Sequence, residues 1–121
     1  MKKILIVDDQ LQIRKLVEVT LSAEDYRIFQ AKSGQEAVKM AKEKRPDLII
    51  MDIVMPGEID GIEATRVIKN DPETRHCKII MLSGGGQKSD REKGFSAGAE
   101  DFFTKPFSPL SLIKKVESVL E

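Results

Sequence analysis

The sequence predicts a doubly wound α/β domain, a parallel sheet of five strands with five helices packed on its two faces. Three observations predict it. Apolar runs of four to six residues alternate with stretches of helical period along the chain. Two of those runs, Ile4-Leu5-Ile6-Val7 and Leu48-Ile49-Ile50-Met51, are apolar at every position, as strands covered on both sides must be. Residues of the N-capping type precede several of the helical stretches. Strand-helix repeats of this kind cross over with a right-handed sense, which distributes the helices over both faces.

The first strand is Lys3 to Val7, ending at Asp8-Asp9, and the first helix follows from about Gln10. Arg27 to Ala31 is the second strand. Ser33-Gly34-Gln35-Glu36 opens the second helix as a capping box, with an N-cap oxygen three residues ahead of a glutamate. Leu48 to Met51 is the third strand, and Asp60-Gly61-Ile62-Glu63 repeats the capping signal. Lys78 to Leu82 and Asp101 to Thr104 are the fourth and fifth strands, with the fourth helix between them from about Lys88. Ser108-Pro109 starts the last helix, with proline at its tolerated first position. Leu112, Ile113, Val116 and Leu120 share one face of that helix. Gly34, Gly61, Gly94 and Gly98 read as turn and helix-end residues, and Met55 and Phe103 as core.

At 121 residues the chain is long enough for one domain, 1–121, and too short for a second. Twenty basic and twenty acidic residues are spread evenly, so the formal net charge is zero and no basic stripe is available to grip nucleic acid. The longest apolar runs fall far short of the ~20 residues a spanning helix needs. Acidic residues end the first apolar run too early for a signal peptide, and the expected location is the cytoplasm. Cys77 has no partner for a disulfide or a zinc site, and His76 reads as an exposed loop residue.

Ligands of doubly wound sheets sit beyond the carboxyl ends of the strands. Asp8, Asp9, Asp52, Ser83 and Lys105 all fall there. Aspartates often follow strands simply because they suit turns and caps, but three carboxylates, a hydroxyl and a lysine at one edge outweigh that explanation. Crowded carboxylates repel one another, and a hard divalent cation removes the conflict. Magnesium suits the set, since it takes oxygen ligands and keeps water positions that phosphate oxygens can replace. A carboxylate so placed can attack phosphorus while metal and lysine balance the charge.

Four motifs in this order and spacing make the chain similar to the CheY-like receiver domains of two-component response regulators. They are Ile6-Val7-Asp8-Asp9, Met51-Asp52-Ile53-Val54-Met55-Pro56-Gly57, Leu82-Ser83, and Gly98-Ala99-Glu100-Asp101-Phe102-Phe103-Thr104-Lys105-Pro106-Phe107. The resemblance covers essentially the whole chain and implies a flavodoxin-like strand order of 2-1-3-4-5. It implies that Asp52 accepts a phosphoryl group from a sensor histidine kinase or a histidine phosphotransfer protein. Asp9, Asp52 and the Val54 carbonyl would bind Mg2+ directly, and Asp8 through a metal-bound water. Ser83 would donate to the phosphorylated aspartate, Lys105 would pair with a phosphoryl oxygen, and the Lys105–Pro106 peptide would be cis. A shift of Ser83 would be coupled to inward rotation of Phe102.

The same resemblance implies a phosphorelay switch rather than an enzyme, catalysing only its own phosphotransfer and dephosphorylation, and since the domain takes up the entire chain it is expected to stand alone. Its output would pass to another protein through the fourth helix, fifth strand and fifth helix, about Lys88 to Glu121. The phosphodonor would dock around Gln10 to Arg14, and the domain would be a monomer or a dimer formed on phosphorylation.

Three departures stand out. Phe102 stands where tyrosine is common, the loop Pro56-Gly57-Glu58-Ile59-Asp60-Gly61 is one residue longer than usual, and Gly84-Gly85-Gly86 follows Ser83. Rival functions fit less well. Gly84-Gly85-Gly86-Gln87-Lys88-Ser89 lacks the Gly-Lys-Ser/Thr of a phosphate loop. One tyrosine and no tryptophan leave a flavin without flanking rings, and adjacent Asp8-Asp9 is not the Asp-x-Asp of haloacid dehalogenase phosphatases. A receiver that only binds proteins, without phosphorylation, is the strongest alternative, and the complete set of five site residues counts against it.

Overall fold

In the computed structural model, which describes residues 1–84 and 88–121, strands and helices alternate throughout. The elements are β1 (Lys3–Val7), α1 (Leu11–Leu21), β2 (Arg27–Ala31), α2 (Gly34–Lys44), β3 (Leu48–Asp52), α3 (Gly61–Asn70), β4 (Lys78–Ser83), α4 (Lys88–Ala97), β5 (Asp101–Thr104) and α5 (Pro109–Leu120). The strands form one parallel sheet in the order β2-β1-β3-β4-β5. Expectations that concern Gly85, Gly86 and Gln87 lie outside the described residues.

β3 and β4 each run one residue further than their apolar runs. The ladder is made by backbone groups, and it continues through Asp52 opposite Leu82 and Ser83 opposite Thr104. Two polar side chains are thereby carried on the sheet itself.

Successive strand residues point to opposite faces, and the core divides accordingly. Leu5, Val7, Ile49, Met51, Ile79 and Met81 meet Ala37 and Ala41 of α2, Ile62, Ala64 and Ile68 of α3, and Ala97 of α4. Ile4, Ile6, Leu48, Ile50, Ile80 and Leu82 meet Val17 and Leu21 of α1 and Leu112 and Val116 of α5. Burying each of these large side chains stabilises the fold by about 1.5–3 kcal/mol, so both helical layers are fixed by the sheet. Ile113 and Leu120 pack at the margin of the second cluster, as does Phe103, which is half-buried rather than core.

All three expected N-caps form. Ser33, Asp60 and Ser108 side chains accept from the backbone N–H groups of Glu36, Glu63 and Ser111 at 3.1, 2.9 and 3.4 Å. The reciprocal half of the capping boxes is not made. Glu36 reaches back to the Lys32 amide, and Glu63 turns to Arg66.

Gly94 departs from expectation, lying inside α4 rather than at its end. A Cβ there would fall 2.4 Å from Phe102 Cζ and 2.9 Å from Met81 Sδ, so the missing side chain is the space the Phe102 ring occupies. Gly61 is needed for a closer approach still. Its amide donates to the Ile53 carbonyl at 2.9 Å, and a Cβ would lie 1.9 Å from the Asp52 carbonyl oxygen. The start of α3 is thus laid directly on the end of β3. Gly61→Ala is expected to destabilise the domain by about 1–3 kcal/mol despite alanine's better helix propensity, because backbone must move to admit the methyl. Urea unfolding checks this, with a lowered midpoint at unchanged slope as the expected result.

Candidate functional site

Four of the parallel strands bring five polar side chains to one edge. Asp8 and Asp9 follow β1, Asp52 and Ser83 end β3 and β4, and Lys105 follows β5. Carboxylate oxygens of Asp8, Asp9 and Asp52 all lie within 4.8 Å of one another. Lys105 Nζ is 3.0 Å from Asp8 Oδ2 and 3.0 Å from Asp52 Oδ1, and ties the two together.

Burial grades the cluster. Asp8 and Asp52 are buried, at 1% and 4% exposure, whereas Asp9 faces solvent. The Asp8 carboxylate also accepts from the Gln10 amide at 2.9 Å. Burial pushes the Asp52 carboxyl up; the Lys105 hydrogen bond opposes this, Asp8 and Asp9 add to it, and the pKa rises to about 6 from an ordinary 3.8. Burial would lower the Lys105 pKa, but the hydrogen bonds from its ammonium to Asp8 and Asp52 outweigh it and hold the pKa above the usual lysine value. The Lys105 ammonium thus pairs with two of three clustered carboxylates and does not fully compensate them.

Ser83 is buried at the end of β4, beside β3, and its carbonyl accepts from the Lys105 amide at 2.8 Å. This bond fixes the backbone from which the lysine reaches across, next to a cis Lys105–Pro106 peptide. Val54 is 75% exposed at the rim. Phe102 is not in the cluster. It lies three residues upstream on β5, buried against Gly94, with the half-exposed Phe95 ring 5.1 Å from its centroid. A tyrosine buried here would need a partner for its hydroxyl, and phenylalanine does not.

The long loop after β3 is absorbed by packing. Ile59 sits over Gly34 at the start of α2, and Gly57 takes a φ of +117° beside the Gln35 amide. Next to Lys105, a cavity of about 380 Å³ is lined by Ile13, Leu16, Gly84, Pro106 and Phe107. Arg14 also enters the site, its guanidinium donating to the Asp8 carbonyl at 2.6 Å. The sequence holds only a weak signal for it, an arginine in the first turn of the helix that follows the acidic pair.

The donor set fits a hard divalent cation: three carboxylates from two strand ends, no nitrogen or sulfur ligand among the described residues, and negative charge in excess of the lysine. Without metal, the raised Asp52 pKa has a sign-determined consequence. The folded state binds the Asp52 proton more tightly than the unfolded chain, so its ionisation costs stability fully above about pH 6 and not at all below 3.8. Asp52→Asn should therefore be more stable than wild type by roughly 2–3 kcal/mol at neutral pH in chelator. The gap should close as pH falls from 6 towards 4, which urea unfolding across that range measures.

The chain matches the response regulator receiver domain family over residues 4–117. It is 42% identical over 118 residues to the transcriptional regulatory protein ResD of Bacillus subtilis, covering 98% of this chain and 48% of ResD. It is 40% identical over 119 residues to the phosphate regulon transcriptional regulatory protein PhoB of Pseudomonas aeruginosa, covering 98% of this chain and 52% of PhoB. The chain thus spans about half the length of these relatives. Among solved structures, the chemotaxis protein CheY4 of Vibrio cholerae superposes with a TM-score of 0.91 at 33% identity, covering 99% of each chain.

Proposed function

The chain belongs to the response regulator receiver domain family, a phosphoacceptor switch of two-component signalling, and we propose that Asp52 is its phosphoacceptor. The observation that carries this is the pairing of one lysine ammonium with both buried carboxylates at 3.0 Å, inside a cluster of three. Such a lysine leaves an oxygen of Asp52 held for attack and a positive charge where phosphoryl oxygens would arrive.

In the transfer, an Asp52 oxygen bonds to phosphorus as the bond from phosphorus to a donor imidazole nitrogen breaks. Lys105 then moves its pairing from the carboxylate to a phosphoryl oxygen, and the Ser83 hydroxyl donates to another. Asp9, Asp52 and the Val54 carbonyl would hold Mg2+, with Asp8 acting through a bound water. The metal, when bound, neutralises charge on the transferring phosphoryl oxygens. Hydrolysis of the acyl phosphate on the domain itself would reset the switch.

The donor side we assign to α1 and the apolar cavity beside Lys105, where the histidine of a kinase or phosphotransfer protein could approach. The target side we assign to α4, β5 and α5. Phe102 belongs to that face and lies inward already, and motion of Ser83 towards the phosphoryl group would favour this position. α4 supports the assignment, since its buried residues among those described are only the small Gly94 and Ala97, which leaves it lightly anchored. ResD and PhoB are transcriptional regulatory proteins, and transcriptional control is one output this switch could serve.

Incubation with acetyl phosphate and Mg2+, followed by intact mass, tests the reading. Wild type should gain one phosphoryl group and Asp52→Asn none, while Lys105→Met should be labelled more slowly by about two orders of magnitude. Equal labelling of Asp52→Asn would contradict the acceptor assignment.

A further inference from the structure

The acidic cluster poses a positioning problem that its own side chains do not solve. Asp8 is held at each of its polar groups: its amide donates to the Ala31 carbonyl at 3.2 Å, Oδ1 accepts from Gln10, and Oδ2 from Lys105. Its carbonyl accepts from Arg14 at 2.6 Å. That last contact differs in kind, because the Asp8 carbonyl belongs to the peptide that joins Asp8 to Asp9. A peptide is planar, so gripping its oxygen sets the direction in which the chain leaves Asp8 and carries the exposed Asp9.

Arg14 is itself oriented. Its Nε donates to Gln30 Oε1 at 2.9 Å, and the Gln30 amide donates to Glu18, one helical turn beyond Arg14 on α1. Gln30 lies on β2 immediately before Ala31, the residue that takes the Asp8 amide. The half-buried chain Glu18–Gln30–Arg14 thus links α1 and the β2 edge to the Asp8–Asp9 peptide. The planar guanidinium serves two acceptors at a fixed angle, which a lysine ammonium does not.

We infer that Arg14, oriented by Gln30 and Glu18, is a positioning residue that sets the Asp8–Asp9 peptide so that both carboxylates face one cation. The inference rests on the proposed reading of the cluster as a Mg2+ site. Electrostatics alone predicts the opposite sign: a nearby cation repels Mg2+, so its removal should tighten binding. Positioning predicts that removal weakens it.

Amide NMR titration with MgCl2 at constant ionic strength separates the two. Arg14→Met should bind Mg2+ about tenfold more weakly than wild type, the lower end of what residues behind a metal's ligands contribute. Gln30→Ala, which retains the guanidinium and loses only its orienter, should also bind more weakly, by up to about tenfold. Unchanged or tighter binding by Arg14→Met overturns the inference. If Arg14→Met does not fold, Gln30→Ala decides, and wild-type affinity in that variant overturns it. Absence of saturable binding in wild type would instead remove the Mg2+ reading, and this inference with it.

Discussion

One ammonium group set against three carboxylates is the interaction on which the rest of this structure depends. Lys105 bridges Asp8 and Asp52 at 3.0 Å each, with Asp9 close by at the solvent edge. At about 4 Å, like charges near a protein surface repel by roughly 4 kcal/mol each, so one lysine leaves the cluster short of positive charge. The raised Asp52 pKa expresses that shortage. A site in this state has an unmet demand for positive charge, which follows from charge balance before any partner is considered.

The fold exists, in this sense, to hold that imbalance in place. Apolar strands buried on both faces form a rigid sheet, and parallel order collects all their carboxyl ends at one edge. Gly61 lets α3 start directly against the Asp52 carbonyl, and the Ser83 carbonyl anchors Lys105 from the neighbouring strand. Arg14 and Gln30 reach the same edge from α1 and β2. The path from the cluster to the face of α4, β5 and α5 is short: Phe102 is three residues from Lys105, and its ring fills the notch left by Gly94. A small residue inside a helix and an unpartnered-hydroxyl-free ring together make the buried position of Phe102 cheap.

Much of this was legible in the residues. Strand cores, N-caps and the acidic edge depend on local pattern, and Ser33, Asp60 and Ser108 cap their helices as their spacing indicates. Asp8, Asp9, Asp52, Ser83 and Lys105 could be grouped because a parallel sheet makes strand ends neighbours. What escaped depends on contacts between distant segments. Gly94 reads as a helix end until the ring of Phe102 is set against it, and Ile59 reads as loop until it meets Gly34. Arg45 closes α2 with a φ of +49°, where glycine would be expected, and its side chain bonds the Glu73 carbonyl. Arg14 reads only as a boundary of a docking region, since nothing in its own neighbourhood announces a bond to the Asp8 carbonyl.

Charge balance at the strand edge is most directly tested by thermal unfolding at neutral pH against Mg2+ concentration. A cation that binds only the folded state must stabilise it in step with its occupancy. Wild type should unfold at progressively higher temperature as Mg2+ rises, reaching the logarithmic regime beyond saturation, whereas Asp9→Ala should respond far less. An unfolding temperature that ignores Mg2+ in wild type, or an equal rise in Asp9→Ala, would contradict the account.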